Sequence, residues 1–355
     1  MDCIQADSLG TFFRTMAEPE FDPSSSQEIG ASWHEYDRLV SLRKHEHIDP
    51  STFSLLHYDE ADLILKRWKM LLTNAEAARR SVSHAKQRSF FELVLYPIKA
   101  SVIFVTLQTS LGRNQLYALQ RRNSANSLFH AVLSLFDDDF SLSSTFHALL
   151  NGRWKHIASQ PHYGIGPTWH ASSRDMISGL SYVQRRQDSN PVAGQMGVCV
   201  EGHARVRPGV CNEASDLTHP SRRDLIPGVT LGLMTRYSPQ KKWFDVFTRG
   251  TIAIHWVAMI PFSWLKLSAT SSTLDPDGED NKVTITIDWI EVPEAFNQHV
   301  LVDICSMEGD YEQIHLPING RRISPPSENI KLFRGSVESD GYISIPASKC
   351  PISPP

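Results

Sequence analysis

The residues best suited to chemistry gather in one stretch, GRWKHIASQPHYGIGPTWHASSRD, Gly152 to Asp175. It holds His156, His162 and His170 with Trp154, Tyr163 and Trp169, set among Gly and Pro. Loops of this composition on a rigid scaffold commonly line sites, and Trp or Tyr beside His suits stacking on a sugar ring. Two roles are open for them. The aromatics line a ligand, with His162, Tyr163 and Trp169 as the candidates, or they plug a bundle end while the histidines face solvent. The histidine spacing matches no metal signature, so no metal site is expected. A second polar cluster, LGRNQLYALQRRNSAN, brings Arg113, Arg121 and Arg122 together with Asn114, Asn123 and Asn126. An arginine fork can grip a carboxylate through two parallel hydrogen bonds, either on an acidic ligand or in an ion pair. The ion pair on a helix surface is the favoured reading, with Arg113 and Asn114 kept as ligand candidates. Asp137, Asp138 and Asp139 are expected to form a solvated helix terminus rather than a cation site.

No catalytic motif stands out. GxSxG, HExxH, GxxxxGK[ST] and a GxGxxG after a strand are all missing, so no catalytic residue and no cofactor is assigned. With 35 Lys and Arg against 39 Asp and Glu, the chain has no strong net field, and no nucleic-acid partner is expected. The five cysteines, Cys3, Cys199, Cys211, Cys305 and Cys350, are scattered without a CxxC pair. Free thiols are expected, with Cys199 and Cys211 the one weak disulfide candidate. The opening MDCIQADSLGTFF has neither a basic start nor a sustained apolar core, so no signal peptide is read there. Taken as written, the chain is expected to stay inside the cell.

These residues have to be held by elements, and the elements change character along the 355 residues. In DEADLILKRWKMLLTNAEAARR the residues Ala61, Leu65, Trp68, Leu72 and Ala75 form one apolar helical stripe. FFELVLYPIKASVIFVTL, Phe90 to Leu107, is close to the ~20 apolar residues that a bilayer span needs. Glu92, Lys99 and Pro97 interrupt it, so a kinked central helix of a bundle is expected instead, with no membrane partner. Further stripes run Ala125, Leu128, Val132, Leu135 and then, on a separate helix, Leu142, Phe146, Leu149, Leu150, with Gly152 just past the last helical turn. From about Gln184 the chain turns polar and then alternates. Val283, Ile285, Ile287 and Trp289 share one face, as do Ile252, Ile254 and Trp256, Leu265 and Leu267, and Val300, Val302 and Ile304. The expected fold is multidomain, α then β: a helical bundle over 1–183, a linker over 184–196, an antiparallel immunoglobulin-like β-sandwich over 197–325, and a tail over 326–355.

Several segments, in order, resemble glycoside hydrolase family 115, the xylan α-1,2-glucuronidases. FFELVLYPIKAS, GRNQLYALQRRNSAN and GRWKH followed by QPHYG are similar to that family's helical domain. RYSPQKKWFDVFTRGT, PFSWLKLSATSSTL and VTITIDWIEVP resemble the β-sandwich after it, and SLGTFFRTMAEPEF with DPSTFSLLHYDEAD resembles the exit from its catalytic barrel. FRGSVESDGYISIPAS resembles the first strand of a further C-terminal module. The resemblance covers most of residues 8 to 346. It implies a region that lies after the barrel and lacks the barrel's catalytic acids, inactive alone, from an enzyme that is often secreted. Three readings stay open: a truncated member, a stand-alone carbohydrate-binding or scaffold protein, and an enzyme in its own right whose site lies in the helical half. The implied partners are an acidic xylo-oligosaccharide or glucuronoxylan, and a second copy in a homodimer. The chain departs from the family near Ser159 and Pro161, where an acidic residue and Thr are common.

Overall fold

The computed structural model describes residues 6–164, 175–185, 195–208 and 229–321. Helices come first and mostly antiparallel sheets follow. The chain divides into two compact units, one of residues 1–116 with 125–182, the other of residues 117–124 with 183–355.

In the helical unit, α1 (Ala6–Glu20), α2 (Pro23–Val40) and α3 (Glu60–Ala78) precede a helical run that begins at His84. The α3 stripe buries Ala61, Leu65, Trp68, Leu71, Ala75 and Ala78, with Leu72 half-buried at its edge. The helical run is built of α4 (Gln87–Phe90), a π-turn (Phe91–Leu95) and α5 (Tyr96–Leu119). The π-turn sits where Pro97 disrupts the ladder. Pro97 has no N–H to give the carbonyl of Leu93, four residues back, and the Trp33 indole Nε1 donates to that oxygen instead at 3.1 Å. Among the described residues this run is long and apolar enough, by length and composition, to cross a membrane. Its side chains Phe90, Val94, Leu95, Ile98, Val102 and Val105 pack with Trp68, Leu71 and Ile29, while Lys99 pairs with Glu76 at 3.0 Å.

The two helices expected over 124–150 are one, α6 (Ser124–Ala148), whose buried stripe is Ala125, Val132, Asp139 and Phe146. It ends in a 3₁₀ turn, Leu149–Gly152, whose last residue, Gly152, has a left-handed φ of 81°. The acidic run lies in the middle of α6, not at its terminus, because Asp139 takes a core position in that stripe. On α5, Gly112 lets the loop after α2 approach closely, since a Cβ there would meet the Pro50 carbonyl oxygen at 2.2 Å. That loop becomes one wall of the site below.

The second unit holds two sheets. One has strand order β2-β1-β5-β9-β7 and is antiparallel throughout: β1 (Met196–Val200), β2 (Val206–Arg207), β5 (Lys241–Thr248), β7 (Leu265–Leu267) and β9 (Asn281–Ile287). The other runs β3-β11-β10-β6-β8, with β3 (Val229–Thr230) and β4 (Met234–Thr235) parallel to β11 (Tyr311–Asn319). Its remaining strands are β6 (Ile254–Met259), β8 (Ser271–Leu274) and β10 (Asn297–Ser306). One core takes side chains from both sheets, among them Val198, Phe244, Ile285, Trp256, Val302 and Leu316. The alternating faces read from the sequence supply much of it. Ile252 is the exception, exposed ahead of β6.

Strands β1 and β5 are buried on both faces. The outward face carries Cys199, Trp243 and Phe247, and residues 117–124 lie over it, with the Arg122 guanidinium 4.4 Å from the Phe247 ring centre. Asn123 fixes the segment by donating from its backbone to Thr248 O at 3.0 Å and from its side chain to Gly250 O at 2.8 Å. Most of the expected linker, and all of the expected tail, lie outside the described residues, as does Cys211; Cys199 is a buried free thiol.

Candidate functional site

The helical unit contains a cavity of about 1140 Å³. Its walls come from four places: Tyr36 on α2, the loop from Arg43 to Ser51, one face of α5 from Tyr96 to Gln115, and the 160–164 and 176–178 segments, with Asp139 of α6 behind them. The loop wall is stiffened by Asp49, whose carboxylate accepts from Ser51 N, Ser51 Oγ and Thr52 Oγ1. Those hydroxyl and backbone donors hold the Asp49 carboxyl below its ordinary range.

The cavity's most distinctive polar feature is a pair. Asp139, with 8% of its side chain exposed, sits 2.7 Å from Nδ1 of His162. The hydrogen bond to Asp139 raises the His162 pKa above its usual value, against the opposing effect of burial. With Nδ1 engaged, Nε2 is left without a hydrogen-bond partner among the described residues, and 31% of the side chain is open. The imidazole is therefore oriented and biased toward its charged form, as a positioned donor or proton carrier would be.

Tyr163 plays a different part. It is 2% exposed and packs among Leu107, Leu111 and Val132, its ring stacked on Phe104 at 5.6 Å. A stacking platform for a sugar has to be open, and this one is already covered by Phe104. Its hydroxyl is closed from solvent and has no hydrogen-bond partner among the described residues, and burial drives its pKa strongly up. His45, whose ring centre lies 5.6 Å from that of Phe104, also has a buried Nε2 without a partner among the described residues, and burial lowers its pKa. A buried polar atom left without a partner costs about 1–3 kcal/mol.

The other sequence candidates do not join this site. Arg113 forms an ion pair with Asp62 and lines a separate groove with Lys66 and Lys69. Asn114 is fully buried as a structural clamp, donating to Ala125 O and Ser181 O, both at 2.8 Å, and accepting from Ser181 N. Trp169 and His170 lie outside the described residues. What sequence reasoning missed is Asp139. The available signal was its place seven residues from both Val132 and Phe146, a core position where a carboxylate needs a partner. Among the described residues no three His, Cys, Asp or Glu side chains are grouped to hold a metal ion.

The Asp139–His162 pair makes a pH-dependent contribution to stability. A histidine whose pKa is raised on folding contributes fully below its unfolded value, about 6.5, and the contribution is lost as pH rises through the folded value. His45 has the opposite sign and titrates below that window. As pH rises from about 6.5 through the folded-state pKa of His162, the melting temperature of the helical unit is thus expected to fall, and Asp139→Asn to flatten that dependence. Thermal unfolding followed by circular dichroism across this range checks it.

No family model matches the sequence, and no curated protein matches it. Among solved structures, the chain is similar over 86% of its length to BtGH115A, a GH115 4-O-methyl-α-glucuronidase with specificity for decorated arabinogalactans, at 14% identity and a TM-score of 0.38. The chain spans 41% of that protein's length. It is also similar over 29% of its length to the periplasmic chaperone SfaE, covering 60% of that chain, at 12% identity and a TM-score of 0.24.

Proposed function

We propose that the chain is the ancillary region that follows the catalytic barrel in a family 115 xylan α-1,2-(4-O-methyl)glucuronidase, and that its helical unit binds an acidic xylo-oligosaccharide. The ordered set of segments from SLGTFF to VTITIDWIEVP supports the family, and the helices followed by sheets agree with it. The mostly antiparallel pairing of two sheets over one core supports reading the second unit as immunoglobulin-like.

The observation that carries the ligand reading is the Asp139–His162 pair on the wall of a cavity large enough for a small oligosaccharide. Hydrolysis is a different demand. It needs two positioned carboxyl groups flanking one glycosidic bond, one of them able to give a proton. The cavity's carboxylates are committed elsewhere or open to water: Asp139 to His162, Asp49 to its own loop, and Glu46 exposed. The chain alone is therefore expected to bind aldouronic acids weakly, with Kd near the millimolar range, and to release no glucuronic acid from glucuronoxylan. Isothermal titration and product chromatography test the two halves. Absence of binding at several millimolar ends the ligand reading, and release that disappears on mutating a carboxylate of this chain makes it an enzyme in its own right.

A further inference from the structure

We propose that His162, positioned by Asp139, is the residue that selects a carboxylated ligand over a neutral one in the helical cavity. This rests on the carbohydrate reading above and names the group that recognises the acid. Arg113, the other ligand candidate with a charge, forms an ion pair with Asp62, in line with the favoured reading, and lines another groove, so the cavity needs a different cation. Its lining offers Arg43, His45, His47 and His162 against Glu46, Asp49 and Asp139. His45 is biased neutral by burial, and Arg43 and His47 sit on the exposed loop. Among the described lining residues, His162 alone combines a buried carboxylate partner on one ring nitrogen with a partly open side chain.

The chemistry follows from that geometry. Asp139 accepts from Nδ1 and favours the doubly protonated ring, so Nε2–H becomes a charged donor facing away from Asp139. A ligand carboxylate on that side meets the donor first, with the imidazole ring between it and the Asp139 charge. The charged groups acting on His162 are Asp139 and, through space, Asp175, whose Oδ1 accepts from Tyr163 N at 2.8 Å. Both favour the imidazolium. Because a uronic acid is ionised above about pH 4, ligand and histidine are oppositely charged from there up to the folded-state pKa of His162. Preference for the acid is largest in that window and declines above it.

The test compares one aldouronic acid with the neutral xylo-oligosaccharide of the same backbone, by isothermal titration against the full chain and its His162→Gln and Asp139→Asn variants. The wild type is expected to prefer the acid by about tenfold or more at pH 6, the worth of one charge-assisted hydrogen bond. That preference should shrink toward unity at high pH, and be lost in His162→Gln. An acid preference that survives His162→Gln, or that ignores pH, overturns the assignment but leaves carbohydrate binding standing. If neither oligosaccharide binds, the carbohydrate reading fails, and a separate measurement still judges His162. The NMR titration of its imidazole should shift to higher pH with millimolar sodium glucuronate and not with xylose; no shift overturns the proposal. A proton NMR spectrum of each variant confirms that it is folded.

Discussion

Replacing Arg122 with Met is expected to destabilise the β-sheet unit by about 3–5 kcal/mol, a large part of what a domain of this size holds in reserve. Arg122 is 1% exposed. Its Nη1 donates to Asp245 and Asp280, each at 2.9 Å, its Nη2 to the Cys199 sulfur at 2.7 Å, and its Nε to Gln120 at 2.6 Å. Burial alone would lower the guanidinium pKa, but its acidic surroundings outweigh that and raise it. Cys199 is not the counter-charge, because burial pushes its thiol up to about 12 and it is neutral near pH 7. The carboxylates are. Removing the arginine leaves Asp245 and Asp280 facing each other in a closed site, and burial already raises the Asp280 pKa with the arginine present. Met conserves much of the volume, so the loss measured is electrostatic rather than a cavity. Urea unfolding of Arg122→Met against Arg122→Met/Asp245→Asn/Asp280→Asn separates the causes. The triple variant should recover a substantial part of the loss, because it no longer buries unpaired charge. A loss under about 1 kcal/mol for the single variant would mean that the site is wetter than its burial indicates.

Why Arg122 was read as a helix-surface residue, and Val283 correctly as a core residue, comes down to where the partners are. Alternation in β9 is local: Val283, Ile285 and Ile287 declare their shared face within a single strand. The same is true of Trp68 on its helical stripe. The fate of Arg122 depends on Asp245 and Asp280, more than a hundred residues away in sequence, and nothing beside it in the chain reports them. Strands β1 and β5 escaped for a related reason. With both faces buried they do not alternate, and Gly197 is present because a Cβ there would meet the Phe247 ring at 2.3 Å. At the site, His162 was legible from its setting among Gly, Pro and aromatics. Tyr163 carried the same signal but is packed in the core, and composition alone cannot separate an aromatic that lines a cavity from one that closes it. Asp139 was hidden by its neighbours: Asp137 and Asp138 are exposed, and a run of three acids reads as a solvated end although its third member turns inward.

Val94→Asp is expected to unfold the helical unit outright. Val94 is fully buried in the π-turn, in the cluster that joins Trp68, Phe90 and Ile98. Charged, the new carboxylate would have no cation beside it in that cluster, and protonated it would still lack an acceptor for its proton; either form costs several kcal/mol. Val94→Ala sets the scale for lost packing alone, about 1.5–3 kcal/mol, and should leave a folded but weakened unit. The comparison also bears on the apolar length of the run from His84 to Leu119, which by composition could span a bilayer. In a spanning helix the burden falls on insertion, about 2.5–3.5 kcal/mol for a central Asp, and the wild-type chain would itself stay with membranes after a carbonate wash. In a packed helix the wild type is recovered without membranes, Val94→Ala melts at a lower temperature, and Val94→Asp loses its helical circular dichroism. Wild-type chain held in washed membranes, or a Val94→Asp variant with an unchanged melt, would show that this helix is not the centre of a packed helical core.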